Sequence, residues 1–213
     1  VKMLIYNYNE NDAKTARQEL QAKREAMQIR HNMMTSLRTF FNKENFLEVT
    51  TPVRIPAPAL EDYIDAVSAG RNFWLRTSPE LHMKRLLSAS FERIYQTGPC
   101  FRKDEKGNRH LVEFTMLEWY RANADWLDIL NDTQNLVKQA MLDCLDKLEC
   151  DFLGNHLDMS GDWELITVTD AFRKFADCDL QEEIKAGRFE ETLVTKVEPH
   201  LGKSKPTFLT EYP

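Results

Sequence analysis

The sequence predicts an α/β protein of the α+β kind, and three features of it carry that expectation. Helical periodicity covers about residues 12–45 and again about 125–148. Two strand-like stretches, about 92–102 and 112–121, follow one another directly instead of alternating with helices. Gly (7) and Pro (8) are scarce, and no internal repeat interrupts the pattern, so long linkers are not expected.

Each element has its own local reason. In the first helix Ile29, Met33, Met34, Leu37, Phe40 and Phe41 recur at helical spacing and give its second half a broad apolar face. The run Phe46-Leu-Glu-Val-Thr-Thr is rich in strand formers and stops at Pro52. Residues 53–61 read as an irregular connection, with Pro56 and Pro58 following Pro52 closely. A strand at about Phe73–Arg76 leads to Ser78-Pro-Glu80, a helix start with Ser78 as cap, Pro79 in the first turn and Glu80 on the positive helix end. The two strand stretches are joined by Lys103–Leu111, a polar connection longer than the roughly 2–5 residues a hairpin needs. The second long helix carries Leu127, Leu130, Val137, Met141, Cys144, Leu145 and Leu148 on one side. Short helices are expected near 170–177 and 189–200, and Lys205–Pro213 reads as a closing strand.

Composition narrows the class. The 213 residues include 34 Asp and Glu against 28 Lys and Arg, a net charge of −6, which disfavours a stand-alone nucleic-acid binder. No apolar run approaches the roughly 18–20 residues that span a bilayer, and the expectation is a cytoplasmic protein. Cys100, Cys144, Cys150 and Cys178 are scattered and read as reduced thiols. Gly202-Lys-Ser204 resembles the end of a phosphate-binding loop, but Val197 stands where that loop needs glycine. His110-Leu-Val-Glu113 lacks a second histidine, because Phe114 occupies its place, so no metal site is expected.

Glu113-Phe-Thr-Met-Leu-Glu-Trp-Tyr-Arg121 is the informative segment. Strand alternation puts Phe114, Met116, Glu118 and Tyr120 on one face. A carboxylate in such a row wants a cation, either an internal Arg or Lys or the ammonium of a ligand held between Glu118 and Tyr120. Arg102, at the end of the preceding strand, and His110, across the polar connection, could hold phosphate oxygens or simply flank a solvated loop.

These pieces resemble the class II lysyl-tRNA synthetases and, more closely, their shortened paralogue, the elongation factor P lysyl (beta-lysine) ligase. Phe46-Leu-Glu-Val-Thr-Thr-Pro52 is similar to class II motif 1, at about 46–52, and Phe101-Arg102 through Arg121 to motif 2, at about 101–121. Leu75-Arg-Thr-Ser-Pro-Glu-Leu-His-Met-Lys-Arg-Leu-Leu87 resembles the ligase's substrate segment, where synthetases tend to carry Ala in place of Ser78.

The resemblance implies a class II fold, a mostly antiparallel sheet flanked by helices and truncated at its C-terminal side. It divides the chain into an N-terminal extension, 1–25, and an incomplete catalytic domain, 26–213, with no motif 3. It implies ATP-dependent activation of lysine or beta-lysine as an adenylate, followed by transfer to a lysine of elongation factor P. Glu80 would hold the α-amino group beside Ser78, and Glu118 and Tyr120 the distal ammonium. Arg102 would act catalytically on the α-phosphate, with Asp104 among the ATP-binding residues, His110 reaching the other phosphates and Phe114 stacked on adenine. Mg2+ ligands are expected in a C-terminal region beyond Pro213, and a homodimer through about residues 30–52.

Departures from the family pattern stand beside the matches. Arg102-Lys-Asp104 replaces Arg-Asn-Glu, His110-Leu-Val-Glu113 replaces His-Asn-Pro-Glu, and Gly98-Pro99 falls inside the first hairpin strand. The later family elements find no counterpart, so the expectation is a fragment of a longer protein or a degenerate paralogue. A lysyl-tRNA synthetase catalytic fragment is the nearest alternative; the short leading segment and acidic charge favour elongation factor P over tRNA as acceptor. A non-catalytic amino-acid-binding or dimerisation relic is the other.

Overall fold

In a computed structural model of the chain, residues 10–59, 61, 63–107 and 110–213 are described. The first nine residues and the Asn108-Arg109 part of the polar connection lie outside these residues. In chain order the elements are α1 (Glu10–Ala22), α2 (Arg24–Lys43), β1 (Leu47–Glu48), β2 (Arg54–Ile55), β3 (Trp74–Leu75), α3 (Glu80–Ser88), β4 (Arg93–Phe101), β5 (Glu113–Arg121) and α4 (Trp126–Leu145). There follow β6 (Glu149–Phe152), β7 (Asn155–Asp158), β8 (Glu164–Thr167), α5 (Val168–Ala171), α6 (Leu180–Lys185), α7 (Phe189–Thr192) and β9 (Thr207–Thr210). Wider-wound turns continue α5 through Ala176 and α7 through Val197.

The chain divides into two compact units, one of residues 38–128 and one combining the described residues up to Leu37 with Ile129–Pro213. Among the described residues no helix is long and apolar enough to cross a membrane.

The unit of residues 38–128 is built on β4 and β5, which pair antiparallel along their full length from Arg93↔Arg121 to Phe101↔Glu113. β1 joins β4 in parallel, with Leu47 opposite Ile94. The motif 1 strand expected over 46–51 thus contributes only two paired residues. Just past the end of α2, Asn45, with φ of 60°, reverses the chain, and Phe46 N–H closes the turn on Phe41 O at 2.9 Å. That turn packs Phe46 against Phe41, ring centroids 5.2 Å apart, while Tyr95 stacks on Phe41 at 4.4 Å. Phe41 also meets Trp119, so the odd-numbered face of the hairpin is the one covered by aromatic core. The even-numbered face carries Gln96, Gly98, Cys100, Phe114, Met116, Glu118 and Tyr120.

Pro99 does not break β4. Tyr95 O accepts from Val49 N–H and Phe101 N–H bonds Arg76 O, so odd residues of β4 turn their backbone polar groups away from β5. The missing N–H of Pro99 falls on that edge, where the ladder needs no donor.

The second unit has its own core of Val168, Ala171, Phe172, Leu180, Leu193 and Val197. β8 and β9 pair in parallel, Glu164↔Thr207 to Thr167↔Thr210, so the closing strand has a partner within the chain. The single helix expected over about 12–45 is interrupted at Lys23, where Lys23 N–H turns back on Leu20 O.

Candidate active site

The site is assembled on the even-numbered face of the β4–β5 hairpin. Glu118 is half-buried there, and two hydroxyls hold its carboxylate. Ser78 Oγ donates to Oε1 at 2.5 Å and Tyr120 Oη donates to Oε2 at 2.9 Å. Ser78 also accepts from Glu80 N–H at 3.0 Å, satisfying one of the donors that a helix start leaves unpaired. The expected Ser78 cap is therefore present in function, although Pro79 occupies the boundary position of α3. One hydroxyl thus ties α3 to the sheet.

The internal cation considered for Glu118 is absent: among the described residues no Lys or Arg forms an ion pair with it. The Tyr120 hydroxyl is pushed well above the ordinary phenol range. Burial is the main cause, followed by its hydrogen bond to Glu118 and by the charges of Glu118 and Glu80. Tyr120 consequently stays a donor across the physiological range.

Glu80 lies near enough to act on Tyr120, but its Oε1 receives Lys84 Nζ at 2.5 Å, an i,i+4 pair with both side chains about half exposed. Such a pair contributes roughly 0–1 kcal/mol, so Lys84 is readily displaced by another ammonium.

Further along the same face, Arg102, Glu105, His110, Leu111 and Phe114 line a cleft of about 200 Å³. The Arg102 guanidinium stands 5.3 Å from the Phe114 ring centroid, and its Nε is buried without a partner. Its Nη1 is 3.9 Å from Glu105 Oε2. Arg102 N–H bonds Val112 O and Lys103 N–H bonds Asp65 O, which fix the backbone where the connection leaves β4.

Ser78, Glu118 and Tyr120 are therefore brought together, with Glu80 beside them, and Arg102, His110 and Phe114 meet in the adjoining cleft. Asp104 does not join them. Its φ is 62°, its side chain is 81% exposed, and it pairs loosely with Lys103 at 3.7 Å. The left-handed turn at Asp104 sends the next residue, Glu105, back to Arg102 instead. Glu105 was not singled out in the sequence, although its acid follows directly on Asp104. Gln96 was also missed: it stands opposite Glu118 in the ladder, and its Oε1 accepts from Thr51 N–H at 2.9 Å. No motif marks that residue; only the register does.

Among the described residues no group of three or more His, Cys, Asp or Glu side chains converges to hold a metal ion.

The family model for class II tRNA synthetases (D, K and N) matches residues 9–213. An elongation factor P–(R)-beta-lysine ligase of Proteus mirabilis (strain HI4320) is 35% identical over 196 residues, covering 85% of this chain and 60% of that protein. The corresponding ligase of Salmonella arizonae (strain ATCC BAA-731 / CDC346-86 / RSK2980) is 34% identical over the same shares. A lysine–tRNA ligase of Acinetobacter baumannii (strain AYE) is 32% identical, covering 89% of this chain and 42% of that protein. The chain thus spans three fifths or less of these relatives. Because the family model covers nearly the whole chain, the chain belongs to the class II tRNA synthetase family, D, K and N type.

Proposed function

We propose that this chain carries the amino-acid and nucleotide subsites of a ligase that activates lysine or beta-lysine with ATP and transfers it to a lysine of elongation factor P. The observation that carries the reading is Glu118, a half-buried carboxylate held only by the Ser78 and Tyr120 hydroxyls among the described residues. Neutral donors orient a carboxylate but leave its charge uncompensated, which suits a ligand ammonium as the missing partner. An amino acid lacking the distal amine would leave that charge unpaired and be rejected.

Glu80 takes the α-amino group once Lys84 swings aside, so two carboxylates read the two amines of the substrate. The substrate carboxylate attacks the α-phosphate of ATP and displaces pyrophosphate. Negative charge builds on the phosphoryl oxygens, and the fixed Arg102 guanidinium, with its unpartnered Nε, is placed to stabilise it. Phe114 offers adenine an aromatic face, and His110 reaches the outer phosphates. The cleft is smaller than the roughly 300–1,000 Å³ of whole-ligand sites, so it accounts for part of the nucleotide only.

Ser78 and the resemblance of its segment favour the elongation factor P ligase over a lysyl-tRNA synthetase. A homodimer through about residues 30–52 belongs to the same reading. Leu37, Phe40 and Phe41 are buried, which leaves Met33 and Leu47 as the exposed apolar residues for that contact. The test is lysine-dependent exchange of pyrophosphate into ATP by the intact protein, followed by transfer of radiolabelled lysine to elongation factor P or to tRNA. Exchange with labelled elongation factor P is expected; exchange with labelled tRNA alone would favour the synthetase, and no lysine dependence would defeat both. Sedimentation at micromolar concentration checks the dimer, and a monomer counts against it.

A further inference from the structure

Arg76 is 2% exposed, and among the described residues no carboxylate pairs with it. Its Nε donates to Pro99 O at 2.9 Å, and Nη1 donates to both Thr51 O and Thr51 Oγ1 at 3.0 Å. A buried guanidinium bonded only to neutral acceptors is a costly way to fill space; an apolar side chain would pack there more cheaply. What the guanidinium supplies is geometry, because its planar fork reaches two separate segments at fixed angles.

Gly98 makes room for it. A Cβ on Gly98 would stand 2.6 Å from Arg76 Nη2, closer than real contacts allow, so the guanidinium lies directly against the glycine backbone of β4. Thr51, bonded to Arg76, is itself held by Gln96, and Gln96 is paired in register with Glu118. Two residues after Arg76, Ser78 donates to that same Glu118. The short segment 76–78 is therefore tied to the hairpin at both ends, by Arg76 on one side and Ser78 on the other.

We propose that Arg76, seated on Gly98, is a positioning residue for the amino-acid subsite: it fixes the height of the Thr77–Glu80 segment over the sheet and so holds Ser78 against Glu118 and Glu80 in reach of the substrate's α-amine. This rests on the lysine reading given above. It extends that reading to two residues that touch no substrate, and it explains why Gly98 stands inside a strand.

The experiment measures lysine and ATP affinities by calorimetry for the wild type, Arg76→Lys, Gly98→Ala and the double variant. Lysine lacks Nη2, so Arg76→Lys vacates the space that an alanine Cβ at 98 would fill. Each single variant is expected to weaken lysine binding about tenfold, the scale of one lost orienting hydrogen bond, with ATP affinity within about twofold. The double variant is expected to bind lysine no more weakly than Arg76→Lys alone. Equal loss of lysine and ATP affinity would mean that Arg76 only stabilises the fold, and additive losses in the double variant would mean that Gly98 is not its seat. Either result, or variants that bind lysine as the wild type does, overturns the inference alone. A wild type that binds no lysine overturns the functional reading and this inference with it.

Discussion

Glu118→Gln isolates the charge at the centre of the site. Glutamine keeps the side-chain length and one acceptor oxygen, so one hydroxyl goes on donating to that oxygen while the other rotates to accept from the amide N–H. The Ser78 and Tyr120 contacts at 2.5 and 2.9 Å should then survive in altered polarity, and the fold should lose little stability. The loss falls on the ligand. An ammonium about 4 Å from a carboxylate gains about 4 kcal/mol at an effective dielectric near 20, before desolvation is subtracted. Removing the charge should therefore weaken lysine binding by roughly 2–4 kcal/mol, about 30-fold to 1,000-fold. ATP affinity should change little, since Arg102 and Phe114 form a separate cleft. Calorimetry with lysine and with ATP, on a variant whose melting temperature matches the wild type, decides the matter. Unchanged lysine affinity in a folded variant refutes the assignment of the distal amine to Glu118.

Arg102→Ala should slow adenylate formation about 10²–10³-fold in single-turnover measurements, with lysine affinity nearly unaffected. Ser78→Ala removes a donor to Glu118 and an acceptor for Glu80 N–H, and should cost roughly 1–2 kcal/mol, read as a lowered melting temperature. Phe41→Ala should cost about 3–5 kcal/mol in urea unfolding, because the ring is fully buried among Phe40, Phe46, Tyr95 and Trp119. Burial, and then its hydrogen bond to Glu48, push Tyr95 up to about 12. The unfolded chain loses this proton near pH 10, so the stability is intact below pH 10 and falls by up to about 3 kcal/mol as pH rises toward 12. Tyr95→Phe should make that alkaline fall shallower.

The β4–β5 hairpin was the most legible part of the fold, expected over about 92–102 and 112–121 and found over Arg93–Phe101 and Glu113–Arg121. One covered face and one carrying polar groups give a pattern that alternation states directly. The β6–β7 hairpin was not legible. It turns on Leu153 and Gly154, with φ of 49° and 79°, a two-residue turn needing two left-handed residues, and leucine does not advertise one. α6 had a signal that went unused: Asp179 caps it by accepting from Gln181 and Glu182 N–H. β8 and β9 pair across more than forty residues, so neither strand marks the other in local sequence.

For the site, alternation placed Phe114, Met116, Glu118 and Tyr120 on one face, but it left two partners open for the carboxylate, an internal cation or a ligand. Under the proposed positioning role the outcome turns on Arg76, which no periodicity marks. Its guanidinium lies against Gly98, on the same hairpin face and two residues along β4 from Gln96, the residue opposite Glu118. A guanidinium in that layer could have neutralised the carboxylate and closed the site to any ligand amine. Instead its Nε and Nη1 donors go to Pro99 O and to Thr51, which hold it in place. Glu118 receives two neutral hydroxyls in its stead, enough to orient the carboxylate and too little to cancel its charge. The arrangement puts a buried guanidinium on the carboxylate's face of the hairpin yet forms no ion pair with it, and that separation is what the proposed reading of this face as a receptor for an amine requires.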